Sequence, residues 1–432
     1  MDKKAIVLYL HVHQPWRIRD DYSVFAIGDV EKKYFKEGAG IYRQSNGEIF
    51  RKVADKSYLP MNALLEKLLL TYPDFRLSIS ITGTFIDQAI EFYPEVLDSF
   101  KRLVKTGKVE IVSETYYHSL AFFYDKDEFK NQVVAHKEKI KEIFGVETTA
   151  FRNTELAYND DLAKWADDFG FKTILAEGWD KVLKWRSPNF VYRPKGTNNI
   201  RLLMKNYRLS DDLAFRFSNP HWKEYPLTTN KYISWLKSAS YHGNLINLFM
   251  DYETFGEHQW EESGIFRFFE DLVGRWLESP NHTFYTVTEA ANSSEPVSQI
   301  SLPQTVTWAD SERDLSAWLG NSMQKQAMKS IYSLKDKIYK CNDGNIVEDW
   351  RRLTTSDHPY YMCTKFWNDG DVHAYFSPYK SPYDAFLYFM DAVNDMKYRL
   401  RNVTELMPSE QFKIISKKIG IYANKLHKKV LK

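Results

Sequence analysis

Two cysteines, Cys341 and Cys363, are all that 432 residues contain. They are too few for a disulfide framework and lack the spacing of a zinc site, so they are expected as buried thiols in a reducing compartment. No stretch approaches the roughly 18 apolar residues that a membrane span needs. The amino-terminal run Ala5-Ile6-Val7-Leu8-Tyr9-Leu10 is too short for a leader and ends in His11-Val12-His13-Gln14-Pro15, not in a small-residue cleavage site. A cytoplasmic protein without a membrane anchor is expected. Charge of one sign is also lacking. The formal net charge is +2, which gives no reason to expect nucleic acid or an anionic membrane as partner. No Gly-x-Gly-x-x-Gly follows an apolar run and there is no Walker A sequence, so nucleotide-binding folds lose ground.

Aromatic residues are plentiful: 12 Trp, 28 Tyr and 28 Phe. Such rings pack large cores, and they also stack on the apolar faces of sugars while offering a polar tip to hydroxyls.

The first two-thirds of the chain alternates short β-rich runs with helical patterns. Strands are expected at 5–10, 76–81, 109–112, 148–152, 172–176, 200–204 and 245–250, with a last candidate at 283–287. Helices are expected between them, including Met61 to Leu70 behind Pro60, a single helix from Ile86 to Lys105, Asp127 to Ile143 and Asp160 to Phe169. The polar, aromatic segment from Trp16 to about Ser57 is too long for a plain connection and is expected at a binding site. Parallel strands joined by helical crossovers imply an α/β fold. Seven or eight strands in about 290 residues fit a closed or nearly closed barrel, with a doubly wound sheet as the alternative. From Ser316 the pattern turns helical: Ala317 to Cys341, Ile346 to Leu353, Tyr383 to Leu406, and a basic amphipathic tail over Gln411 to Lys432. The expected division is a catalytic unit over 1–310 and a helical carboxyl-terminal domain over 311–432 packed on it.

Chemistry is expected where the strands end. The run Leu245 to Met250 stops at Asp251-Tyr252-Glu253, and the strand before Asn153-Thr154 stops at Glu155. Two carboxylates on separate strand ends can converge on one bond, as glycoside cleavage requires. Arg152 can keep Glu155 ionised and so favour it as the nucleophile. His11 and His13, two apart after the first strand, admit two roles. They can ligate a divalent metal completed by Asp251, His118 or His258, or they can meet substrate hydroxyls.

Five short motifs in order make the chain resemble glycoside hydrolase family 57, the α-amylase and 4-α-glucanotransferase family. They are His11-Val12-His13-Gln14-Pro15, Gly107-Lys108-Val109-Glu110-Ile111, Arg152-Asn153-Thr154-Glu155-Leu156-Ala157-Tyr158, Asp251-Tyr252-Glu253-Thr254-Phe255-Gly256 and Thr286-Val287-Thr288-Glu289-Ala290. Trp308, Trp318 and Ser356-Asp357-His358 resemble its amylase-like branch. The resemblance implies an incomplete (β/α)7 barrel followed by a helical region. It also implies retaining hydrolysis or transglycosylation of α-1,4-glucans, with a maltooligosaccharide or longer α-glucan as partner and no cofactor or metal. Glu155 would be the nucleophile and Asp251 the general acid/base. His11, His13, Gln14 and Trp16 from the first motif region would contact the sugar. So would Glu114, His118, Arg152 and Trp179 at later strand ends, Glu253, His258 and Trp260 after Asp251, and Trp308 and Asp357 downstream. A non-catalytic glucan-binding protein, and a metal-dependent carbohydrate hydrolase or deacetylase built on His11, His13 and Asp251, are the other readings.

Overall fold

The computed structural model describes residues 3–29, 34–35, 45–365 and 377–405, with side chains to 401. Seven parallel strands form the frame: β1 (Lys4–Val12), β2 (Leu77–Ile81), β3 (Val109–Ile111), β4 (Ala150–Phe151), β5 (Thr173–Glu177), β6 (Arg201–Lys205) and β7 (Leu245–Asp251). β1 lies between β7 and β2, with registers Ala5↔Leu245 through His11↔Asp251 and Tyr9↔Ser78 through Val12↔Ile81. β2 continues to β3. β4, β5 and β6 form a second arc. One bridge, Ser113 to Phe151, joins β3 to β4. At the other seam the Asn206 amide donates to the Asn247 carbonyl at 2.8 Å, and the Asn247 side chain donates to the Met204 carbonyl at 2.8 Å. The ring is thus an incomplete (β/α)7 barrel, not an open doubly wound sheet.

The eighth candidate strand does not enter the ring. β8 (His282–Phe284) pairs with Lys4–Ile6 of β1 on the edge that β2 takes up further along. It is therefore a wedge at the amino-terminal edge. Thr286 then caps a helix, Val287–Asn292, whose first amides donate to Ser78 and Glu110. The segment matched to the fifth motif accordingly sits at the amino-terminal edge of the barrel, the edge opposite Asp251.

Strand periodicity sorts the side chains. On β1, Ile6, Leu8, Leu10 and Val12 face the outer core, while Ala5, Val7 and Tyr9 join Leu175, Leu203, Leu245 and Phe249 in the barrel interior. The same alternation puts His11 at the inner rim. On β7 it does so for Asp251, beyond Leu245 and Phe249. Both faces of β1 are covered, which is why its sequence is almost continuously apolar.

Helices wrap the ring. Pro94 divides the single helix expected over 86–105 into Gly83–Phe92 and Pro94–Lys105. Proline has no amide hydrogen and drives the preceding residue out of helical geometry; Tyr93 stands at φ −157°, ψ 73°. Likewise the span 317–341 is three helices, Ser316–Leu319, Ser322–Tyr332 and Lys335–Lys340. The break before Ser322 is a capping box of Asn321 with Gln324. The helix Pro382–Glu405 packs Phe389, Val393 and Met396 into the same apolar core as β1 and β2. The tail over 411–432 lies outside the described residues. Among those described, no helix is long and apolar enough to cross a membrane.

The loop after β7 is held by a close backbone approach. Gly256 has φ +107°, and a Cβ there would collide with the carbonyl oxygen of Lys56. Gly256→Ala is therefore expected to cost at least ~2 kcal/mol from the disallowed backbone and the clash together. A thermal unfolding midpoint indistinguishable from the parent would refute this.

Candidate active site

The rim at the carboxyl ends of the strands carries the ionisable groups. The β1–β7 register sets His11 beside Asp251, with Nδ1 3.5 Å from Oδ1. Glu155 follows β4 in a tight turn over Thr154–Leu156. Glu155 and Leu156 have φ of +59° and +48°, and His118, after β3, has +49°. Left-handed conformations at non-glycine residues cost free energy and persist only where the surroundings over-determine them. Here the Trp308 amide donates to the Glu155 carbonyl at 3.2 Å, and the Asn153 side chain donates to the Ala157 carbonyl at 2.9 Å.

Beneath the rim, Glu114 is fully buried. Its Oε2 lies 3.2 Å from His11 Nε2, 3.3 Å from His118 Nδ1 and 3.4 Å from Arg152 Nη1. Burial alone would push this carboxyl up, but His11, His118 and Arg152 reverse the direction and hold it ionised. The other nitrogen of His118, Nε2, is 3.1 Å from Glu155 Oε1. A ring with a carboxylate on each nitrogen donates from both, which requires imidazolium. Burial opposes that charge, yet the bonds from Glu114 and Glu155 outweigh it and raise His118 to about 9. Glu155 also accepts from Trp308 Nε1 at 2.7 Å and Ser356 Oγ at 3.4 Å. Against the upward push of burial, His118, Trp308 and Arg152 hold its carboxyl below the usual range. The Trp308 ring in turn has Arg152 at 5.2 Å and Lys205 at 5.5 Å from its centre, two cation–π contacts that fix the indole.

Asp251 is also held low: His11, His258 and Arg152 overcome its burial. Glu253 goes the other way. Burial, then the charge of Asp251, raise it to about 8, so it keeps its proton at neutral pH. Tyr58 hydrogen-bonds its carboxyl, and Gln14 donates to Tyr58 at 3.0 Å. His13 is neutral: burial and the neighbouring His118 lower it to about 4. Its Nε2–H then donates to Asp357 at 2.9 Å and Nδ1 accepts from Thr82 at 3.0 Å.

A cavity of about 600 Å³ opens above these groups, within the usual range for small-ligand sites. Of the residues expected from sequence, His11, His13, Gln14, His118, Glu155, Asp251, Glu253, His258, Trp308 and Asp357 line it. Glu114 and Arg152 stand directly behind, Glu114 touching His11 and His118 and Arg152 touching His11. Three tryptophans do not belong to the wall. Trp16 is buried against Phe92, with Arg352 over its ring. Trp179 packs half-buried beside the second apolar core. Trp260 is 59% exposed with Lys56 over it, outside the cavity. In each case the sequence showed a ring near a strand end but not which way the chain turned. The 16–57 segment does contribute, through Arg17, Ile49, Lys52 and Val53.

Sequence reasoning missed a charge cluster in the same wall: Lys205, Asp211 and Arg313, with Glu177 behind. Arg313 bonds Glu177 at 2.5 Å and Lys205 bonds Asp211 at 2.9 Å. A lysine closing the apolar run 200–204 was a usable signal; nothing local marks Arg313.

The metal reading named His11, His13 and Asp251. Among the described residues the donor sets that converge are different ones: His11 with Glu114 and His118, and His13 with His118 and Asp357. Both use His118, whose two nitrogens are engaged by Glu114 and Glu155, and the first has the permanently charged Arg152 3.3 Å from His11 Nε2, which disfavours a divalent ion there.

Paired carboxylates and sugar-sized space at the carboxyl rim of a β/α barrel are the equipment of an enzyme that breaks or transfers glycosidic bonds. Comparison with known proteins agrees. The family model for glycosyl hydrolase family 57 matches residues 7–303. A Methanocaldococcus jannaschii protein named "Putative alpha-amylase" is 41% identical over 418 residues, 94% of this chain and 86% of that protein. A Pyrococcus abyssi "Alpha-amylase" is 25% identical over 303 residues, 68% of this chain but only 43% of that longer protein. A crystal structure of a branching enzyme from Thermococcus kodakaraensis, of the same family, superposes with TM-score 0.65 at 14% identity, covering 94% of this chain and 92% of that one; this likeness shows the fold. The chain belongs to glycosyl hydrolase family 57, and its class is glycoside hydrolase or transglycosylase.

The raised groups set a pH dependence. Folded Glu253 (about 8) and His118 (about 9) hold protons that the unfolded chain releases from about 4.5 and 6.5 upward. Their contribution to stability therefore falls as pH rises, by at most ~1.4 kcal/mol per pH unit for each group. The unfolding midpoint is expected to drop between pH 6.5 and 9. Glu253→Gln should flatten the part up to pH 8 and leave the rest; an unaltered slope would mean that Glu253 is ionised in the native protein.

Proposed function

We propose that this chain is a retaining enzyme acting on α-1,4-linked glucans, with Glu155 as nucleophile and Asp251 as general acid/base. The observation that carries it is the unequal setting of the two carboxylates. Glu155 is clamped by His118, Trp308 and Ser356, so it is ionised and immobile, as an attacking group should be. The Asp251 side chain is 37% exposed and lies 3.5 Å from His11. It is free to exchange protons with what enters.

Glu155 attacks the anomeric carbon while Asp251 protonates the departing oxygen. The charge of Glu155 favours the protonated form of Asp251 as a sugar excludes water. Once Glu155 is esterified that charge is gone, Asp251 becomes more acidic, and it takes a proton from the incoming water or sugar hydroxyl. Glu253, protonated, adds no competing charge beside it. His13, with both ring nitrogens engaged by Asp357 and Thr82, shapes the cavity wall beside them. The names of the relatives support an α-glucan as substrate, and a wall of hydrogen-bonding groups with Trp308, Tyr360 and Phe215 among them suits a hydroxyl-rich sugar.

The test is product analysis on a defined linear maltooligosaccharide, with chelator present. Shorter products alone indicate hydrolysis; chains longer and shorter than the input indicate transfer. Glu155→Gln is expected to lower turnover by ~10³-fold or more. Products persisting at the parent rate would remove Glu155 as nucleophile.

A further inference from the structure

Among the described residues, Phe215 is the one large apolar side chain of the cavity wall that is mostly in water, 58% exposed among residues that include Glu155 and Asp251. Its neighbours in sequence behave differently. Leu213 and Phe217 turn into the main core, so the segment is anchored from below while Phe215 is held out. The backbone there is a π-helical turn, Asp212–Arg216, braced by an Asp212–Arg216 ion pair at 2.7 Å.

The turn is also fastened to the loop that carries Asp251. Gln259, buried, donates from Nε2 to the Ala214 carbonyl at 2.8 Å and accepts from the Ser218 amide at 3.1 Å. Gln259 is itself tied back, its amide donating to the Thr254 carbonyl and its carbonyl accepting from Gly256. The backbone on either side of Phe215 is thus tied to the Asp251 loop through Gln259. The same stretch of wall holds Glu257, paired with Lys52 at 3.5 Å.

An exposed aromatic face on a tethered backbone, next to charged hydrogen-bonding groups, can present a platform to a sugar ring: the ring's C–H face stacks and its hydroxyls meet the polar neighbours. Because Phe215 is fastened to the Asp251 loop, the ring it meets is on the side from which the leaving group departs and the acceptor arrives. We propose that Phe215 is the platform of an outer sugar subsite on the Asp251 side of the cavity, taking a glucosyl unit beyond the reacting bond. This rests on the α-glucan reading above and deepens it.

The test is calorimetric titration of the full chain carrying Glu155→Gln, with maltoheptaose and with maltose, with and without Phe215→Ala. Loss of the ring should weaken maltoheptaose about tenfold and maltose less than twofold, and Phe215→Trp should restore maltoheptaose binding. Because the side chain is exposed, the unfolding midpoint should not move. Equal maltoheptaose affinity with and without the ring overturns the subsite while leaving the catalytic reading intact, and so does a parallel loss for both sugars. Chain-length-dependent loss stands as support even if the parent enzyme gives no products, an outcome that would remove the catalytic reading alone.

Discussion

A carboxylate taken fully out of water must be matched by positive charge or lose its ionisation. Glu114 imposes that constraint on this protein. One of its oxygens gathers His11, His118 and Arg152, and the two histidines reach on to the rim carboxylates. His118 bonds Glu155, and His11 approaches Asp251. The imidazolium state of His118, the ionised state of Glu155 and the orientation of His11 are therefore settled together. Removing any one partner would leave an unmatched charge in a dry place, which costs far more than an ordinary hydrogen bond.

The barrel explains why these groups meet. Parallel register puts His11 against Asp251, and alternation points both toward the axis. The strands β3 and β4 end in turns whose left-handed residues, His118 and Glu155, aim their side chains at each other. The helical region after Ser316 completes the wall: the Ser356 amide donates to the His118 carbonyl at 2.9 Å, which brings Ser356 to Glu155 and Asp357 to His13.

Much of this was legible in the sequence, for identifiable reasons. Asp251 and Glu155 stand out because polar groups directly after apolar runs mark strand ends, and His11 continues the period of β1. The count of strands was not legible, since β8 has the composition of a barrel strand and only its register makes it a wedge. Helix breaks at Pro94 and Asn321 follow from proline geometry and capping that a periodicity count overlooks. The tryptophans were the weakest ground. Trp308 reaches Glu155, whereas Trp16 faces the core and Trp260 the solvent, and a ring near a strand end reads alike in all three. Arg313 lies in a loop and Phe215 in a short π-helical turn, where position depends on contacts distant in sequence.

The two sparsely bonded seams of the ring have a consequence for how the molecule holds together. Backbone ladders make one arc of β7, β1, β2 and β3 and another of β4, β5 and β6, with little main-chain bonding between them. Glu114, His118 and Asp251 ride on the first arc; Arg152 and Glu155 ride on the second. The bonds from Arg152 to Glu114 and from His118 to Glu155 therefore cross the seam between β3 and β4. The groups that would perform catalysis thus also tie the two arcs together at this seam.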